Sequence, residues 1–327
     1  MTAATSAVSR ARAVTRRSAA PGSRSRALVA LVLLGIALAA APVAFQMFTR
    51  APRGATMLSD FKPFMTNQRL DGFHHDIAGI DAAVREVDGP VTARLGPDAV
   101  ANGDYASLQS QWPVIHADMT DLLDKVQGNL GNYQAVAALP SFRLFPWFFV
   151  IPGVLIAGFA GVAIARPGAR RRSTVVLALL GIGLVAAPAV FQMFTRAPQG
   201  GRMMTAFSDI ETRQKVTTVQ DYFSTMAVGQ GAIRLQIEPA LRTSGLTATQ
   251  VAQRYPAVTE LNRDWVHILN DMTPMIGAMS DNVRNYQAIK ALPPFPLFPW
   301  FFVIPGVLGA GLALVARRGV PTREGAS

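Results

Sequence analysis

The stretch Leu144-Phe-Pro-Trp-Phe-Phe-Val-Ile-Pro-Gly-Val-Leu155 returns unchanged as Leu297 to Leu308, 153 positions later. The octapeptide Phe45-Gln-Met-Phe-Thr-Arg-Ala-Pro52 returns as Phe191 to Pro198, 146 positions later. Asp118-Met-Thr120 and Asn132-Tyr-Gln-Ala135 recur at the larger spacing, as Asp271-Met-Thr273 and Asn285-Tyr-Gln-Ala288. Two spacings that differ by seven residues describe one tandem duplication with an insertion in the second copy.

The copied motifs lie at the ends of four apolar stretches, 27–48, 144–165, 174–194 and 297–316. Each is about 20 residues long, enough for a helix to cross a hydrocarbon layer of about 30 Å. None carries a charged side chain. In lipid such a segment must be helical, because a helix satisfies its own backbone hydrogen bonds. The expected fold is therefore an all-α integral membrane protein. Four transmembrane helices form two tandem parallel repeats, and each repeat carries a long extracytoplasmic helical hairpin resembling a coiled coil. The first repeat covers 27–166, with its hairpin at 49–143. An Arg-rich link lies at 167–173. The second repeat covers 174–316, with its hairpin at 195–296. A basic segment, 1–26, precedes the repeats, and a tail, 317–327, ends the chain.

The net charge of +11 invites a nucleic-acid reading, and its distribution argues against one. The leading segment, the central link with the adjoining Arg166, and the tail together hold 13 Arg against one acid, Glu324. The first long loop holds 8 Lys and Arg against 11 acids, and the second 10 against 8. Basic residues beside short loops mark the cytoplasmic side. Both termini and the link are expected inside and both long loops outside, in a bacterial plasma membrane. The Arg clusters would touch anionic lipid headgroups. No nucleic-acid recognition motif is present. The first span has a basic leader and small residues at Ala37, Ala39 and Ala41, like a signal peptide. Its internal copy at 174–194 favours a retained span. With no cysteine, packing alone must hold the outer segments, and thiolate chemistry is excluded.

Both loops show heptad spacing. Leu70, Phe73, Ile77, Ile80, Val84 and Val87 form an outgoing stripe. After Gly89-Pro90 and Gly96-Pro97, the returning stripe runs through Leu108, Trp112, Ile115, Met119, Leu122 and Val126 to Tyr133. In the second loop Val216, Val219, Phe223, Met226 and Ile233 go out. Leu261, Trp265, Ile268, Met272, Met275, Met279 and Tyr286 return. Such seams predict antiparallel helices. They could be buried by the two hairpins together, as a four-helix bundle, or by a homo-oligomer. Thr247 with Gln250 predicts a capping box and a short extra helix in the second loop.

Candidate sites are few. Asp71, His74, His75 and Asp76 are the only cluster with metal-ligand chemistry, and the cluster is absent from the second copy. The bland reading is a solvated helix face, with no bound cofactor. His116 and His267 lack the neighbours of a catalytic triad. Asn129 and Asn282 fall on the seam, where a buried Asn fixes register. Trp147 and Trp300 are expected at the headgroup level. Pro152, Pro305, Pro42 and Pro188 are expected to bend their spans. Gly153 with Ala157 and Gly306 with Ala310 offer small faces for helix packing. The spans hold no ionisable group, so a self-sufficient ion-coupled transporter is disfavoured. The expected role is non-enzymatic: a helical ectodomain that binds a protein partner, a lipid or an envelope component. An accessory subunit of a transport or export complex is the alternative. A metal-dependent surface enzyme, using the Asp71 to Asp76 cluster, ranks third.

Overall fold

The computed structural model describes residues 22–100 and 103–318, so most of the basic leader and the end of the tail lie outside the described residues. Helix accounts for 87%, and no strand occurs among the described residues. The helices of the first half are, in chain order, α1 (Ser23–Ala44), α2 (Met47–Phe61), α3 (Asn67–Glu86), α4 (Asp104–Gly128), α5 (Leu130–Ala137) and α6 (Trp147–Ala165). Those of the second half are α7 (Arg170–Val190), α8 (Met193–Ala206), α9 (Arg213–Ala232), α10 (Ala248–Arg254), α11 (Pro256–Lys290) and α12 (Trp300–Arg317).

Helices α1, α6, α7 and α12 are long and apolar enough to cross a membrane. Only about a third of each is buried inside the protein. Leu33, Ile36, Ile151, Leu179 and Ile304 are more than half exposed. An apolar belt this large is unfavourable in water and at home in hydrocarbon. The chain is a membrane protein by these features.

The spans form a ring. Helix α1 packs along α6 and α7 along α12, and contacts of α1 with α12 and of α6 with α7 close it. Two reciprocal glycine contacts explain how closely the pairs approach. A Cβ on Gly35 would stand 2.5 Å from the Ala157 backbone nitrogen and 2.6 Å from the Gly153 oxygen. A Cβ on Gly181 would stand 2.6 Å from the Ala310 nitrogen and 2.7 Å from the Gly306 oxygen. The small faces read from the sequence therefore meet a glycine each, backbone against backbone. Between the pairs, three phenylalanine contacts stack in series. Phe142 and Phe295 have ring centroids 5.9 Å apart, Phe145 and Phe298 5.6 Å, and Phe149 and Phe302 4.7 Å. All six rings are buried; Phe149 and Phe302 lie within α6 and α12, and the other four lie just before these helices.

The first and third spans end sooner than hydropathy suggests. The helix breaks at Gln46 and at Gln192, both left-handed with φ 54°. Beyond each break the chain enters a separate amphipathic helix, α2 or α8, rather than continuing the span. Helix α2 buries Met47, Ala51, Gly54 and Met57, and α8 buries Met193, Ala197, Gly200 and Met203. The apolar run continues across the break because the buried stripe of the next helix begins there. A hydropathy window cannot distinguish the two.

Helices α3, α4, α9 and α11 form a four-helix bundle, and the crossing is between halves. Helix α3 packs more extensively on α11 than on α4, and α9 more on α4 than on α11. Arg69 bonds Asp271 at 2.8 Å, linking α3 to α11. At the equivalent sequence positions Lys215 meets Asp118 at 3.2 Å, linking α9 to α4. Tyr222 also donates to Asp118 at 2.8 Å. That bond, with Lys215, holds the Asp118 carboxyl below its ordinary pKa. The repeated Asp-Met-Thr motif is thus one half of two cross-bundle contacts. The same exchange occurs nearer the spans, where α2 packs on α11 and α8 on α5. Arg50 donates to the Ala291 carbonyl and Arg196 to the Ala138 carbonyl. The seams bury one another within one chain, so no second copy is needed to cover them.

The tip of the first hairpin needs correction. Gly89-Pro90 does not end the first outgoing helix, which passes through a π turn, Val87–Val91, and one more turn, Thr92–Leu95. The wider turn tolerates the proline, and the Thr92 hydroxyl donates to the Val87 carbonyl at 2.7 Å. The chain reverses later, at Gly96 with φ +89°. In the second loop the expected capping box is present, with Thr247 and Gln250 bonded reciprocally at the start of α10.

Candidate functional site

The linkers from α2 to α3 and from α8 to α9 lie at the ends of α2 and α8 remote from the first and third spans. Each ends in a threonine cap. Thr66 accepts from the Arg69 amide at 3.2 Å, and Thr212 from the Lys215 amide at 3.1 Å. Fixing the cap turns the preceding side chain inward. In the first linker that residue is Met65, and in the second it is Glu211, 146 positions later. Both are buried, Met65 at 6% exposure and Glu211 at 4%.

They line one apolar cavity of about 40 Å³. Its walls come from both halves: Met57 and Phe61 from α2, Met203 from α8, and Met275 and Met279 from α11. Leu122 and Val126 stand in α4 at the positions equivalent to Met275 and Met279. The cavity therefore lies between two similar walls that differ in charge, with one carboxyl on one side. Glu211 Oε2 has no hydrogen-bond partner. Burial pushes its pKa from 4.5 up to about 8. Tyr286 lies within its field. Burial, then the charges of Glu211 and Asp209, raise the phenol's pKa, and its hydroxyl donates to the Met204 carbonyl at 2.5 Å. A lone carboxyl among thioethers and phenyl rings is stable only when neutral, so it must hold either its proton or a cation.

The structure separates the residues that looked like metal ligands. Asp71 is exposed and accepts weakly from Gln127 at 3.4 Å. His74 faces Asp124 at 3.6 Å. His75 is exposed. Asp76 points the other way and is buried, with Oδ2 unpaired. Burial and then Asp271 raise its pKa, against His267, His75 and Arg69. Asp71 and His74 meet α4, whereas His75 and Asp76 lie in the field of charges on α11, so no shared site forms. Among the described residues no three His, Cys, Asp or Glu side chains converge.

The remaining candidates are structural in their contacts. Asn282 is fully buried, donates to Asp60 Oδ2 at 3.0 Å and to the Ala278 carbonyl, and accepts from Asn285. Asn129 makes the same local bonds, to Lys125 and Asn132, but is half-buried and sits at the break between α4 and α5. Its expected place within a continuous seam is corrected: Gly128 precedes it, and the helix restarts at Leu130. Trp112 donates to Asp81 at 2.9 Å, tying α4 to α3. Trp265 is buried on the equivalent seam. Tyr133 donates to the Leu58 carbonyl at 2.6 Å. Trp147 and Trp300 are about half exposed, edge-on to Phe48 and Phe194. Pro42, Pro152, Pro188 and Pro305 all lie within helices that continue past them. His116 stacks near Trp112, and His267 is largely exposed beside Asp271.

Sequence reasoning passed over Glu211. The signal was available: Met65 and Glu211 are the mismatched pair immediately before two matched threonines. Comparison with protein-family models, curated proteins and solved structures returned no match.

Proposed function

We propose that this chain is a non-enzymatic integral membrane protein of the bacterial plasma membrane, duplicated in parallel, whose helical bundle stands outside and binds a ligand or envelope partner as a sensor or scaffold. The observation that carries this reading is the unpaired Glu211 in an apolar cavity built by both halves, at the ends of α2 and α8 remote from the spans. Occupancy or protonation there alters the contact between the two halves, and α2 and α8 connect that contact directly to two spans. Such a junction suits a device that relays an outside state to the membrane.

The lack of ionisable groups in the four apolar stretches weighs against a pore of its own. The parallel duplication also fits an accessory subunit of a transport complex, which would need a separate motor. Affinity purification from native membranes in mild detergent separates these. Recovery alone or with envelope material supports the binding role, and an ATPase in fixed ratio overturns it. Topology is tested with single cysteines in this cysteine-free chain. Ser107→Cys and Ser244→Cys are expected to label from outside intact cells, and Ala169→Cys is not. Labelling of Ala169→Cys would sink the proposed orientation.

A further inference from the structure

Five of the twelve methionines in the chain, Met57, Met65, Met203, Met275 and Met279, share a cavity wall with Glu211. They come from α2, α8, α11 and the first linker, so folding gathers thioethers that are far apart in the chain. Methionine is common in cores as a filler, and five of them alone would say no more than that. The carboxyl changes the question. It is 4% exposed, faces the same space and has an oxygen without a partner. An apolar core gains nothing from such a group, and the other half manages with Met65 in its place.

Size and donor type narrow the ligand. A cavity of about 40 Å³ has room for one ion or a water or two, not for a lipid or a drug-sized molecule. Magnesium and calcium need about six oxygen ligands, and this wall offers one carboxylate. Zinc sites are built from thiolate, imidazole and carboxylate, and the chain has no cysteine and no histidine on this wall. Thioethers are soft donors and favour copper in its monovalent state. One positive charge against one carboxylate leaves the cavity neutral. That removes the cost of an isolated buried anion.

We propose that this cavity is a binding site for one soft monovalent metal ion, Cu(I), ligated by methionine thioethers and neutralised by Glu211. The proposal rests on the binding role above and names its ligand. The duplication then has a chemical use: two similar walls supply sulfur from both sides, and a single Met-to-Glu difference supplies the one charge.

The test is a titration of the purified full chain with Cu(I) in reducing buffer, against a chromophoric Cu(I) chelator, with X-ray absorption of the loaded protein. The expected result is one equivalent bound, sulfur scatterers at the metal, and at least about tenfold weaker binding in Met275→Leu/Met279→Leu and in Glu211→Gln. Met119→Leu and Met272→Leu, buried in the bundle but off this wall, are expected to bind as the parent does. Leu conserves volume and Gln conserves shape, and a thermal melt of each variant confirms that it folds. No stoichiometric binding overturns the proposal, and so does binding that all these variants share equally. If Cu(I) fails to bind while stability falls with pH only in proteins that carry Glu211, the carboxyl holds a proton alone and the proposal is overturned. Failure of the binding role is distinguishable: an ATPase in fixed ratio ends that role whatever the titration shows, while absence of Cu(I) leaves the topology and partner results intact.

Discussion

Glu211 makes the stability of the metal-free protein depend on pH over a window where few other groups titrate. In the folded chain it keeps its proton to about pH 8, against an ordinary value of 4.5. Below about pH 4.5 both folded and unfolded chains hold the proton, and the group's contribution is complete. Between the two values the unfolded chain releases a proton that the folded chain retains. Each pH unit then costs the folded state about 1.4 kcal/mol. Above about pH 8 both states are ionised and the loss is complete. The difference of about 3.5 pH units corresponds to roughly 5 kcal/mol. About 4 kcal/mol of this is lost between pH 5 and pH 9, so at about 2 °C per kcal/mol for a chain of this size the unfolding midpoint should fall by about 8 °C over that interval. The assay is thermal unfolding in detergent followed by helical circular dichroism, for the parent and for Glu211→Gln. The variant carries the neutral shape at every pH, so it should lack this slope and exceed the parent at about pH 9. Asp118 and Asp209 are held low by partners and act on the acid side, and they are common to both proteins. Parallel profiles for parent and variant across the whole range would refute the reasoning.

Gly153→Leu should force α1 and α6 apart and cost about 1–3 kcal/mol, because the new Cβ would stand 2.6 Å from the Ala39 nitrogen. Gly158→Leu, further along the same helix and open to the surroundings, should leave the melting midpoint unchanged. Asn282→Ala should cost about 1–3 kcal/mol, since it strands Asp60 and Asn285, while Asn129→Ala, half-buried, should cost less by the same melt. A double-mutant cycle of Arg69→Ala and Asp271→Ala should return a coupling of about 0.5–1 kcal/mol. Zero coupling would mean that this contact between halves is unimportant for stability.

Much of the architecture is legible one residue at a time. The four apolar stretches dictate spans because length and the absence of charge are local properties. The seams around Leu108 and Leu261 dictate long amphipathic helices because periodicity is local too. Even the capping box at Thr247 needs only its third neighbour. The break at Gln46 was not legible, because the apolar run that leaves the membrane also begins the buried stripe of α2. Nor was the tip of the first hairpin. Gly89-Pro90 carries a strong turn signal, yet a π turn and the Thr92 hydroxyl absorb the proline.

The partners belong to another level. Heptad spacing states that Arg69 and Asp271 flank seams, and nothing in either segment states that those seams meet. The site is further still from view. Met65, Glu211 and Met279 are separated by 146 and 68 positions, and none is unusual where it stands. A glutamate in a linker reads as a solvated loop residue until the fold closes over it. By itself, then, the sequence determined the spans, the helical stripes and the doubling, all of which come from local hydrophobicity and identity. Only the tertiary structure decided which stripe faces which and that Glu211 is buried. Burial and its energetic consequences are properties of the neighbours a residue receives, and folding brings those neighbours from far along the chain.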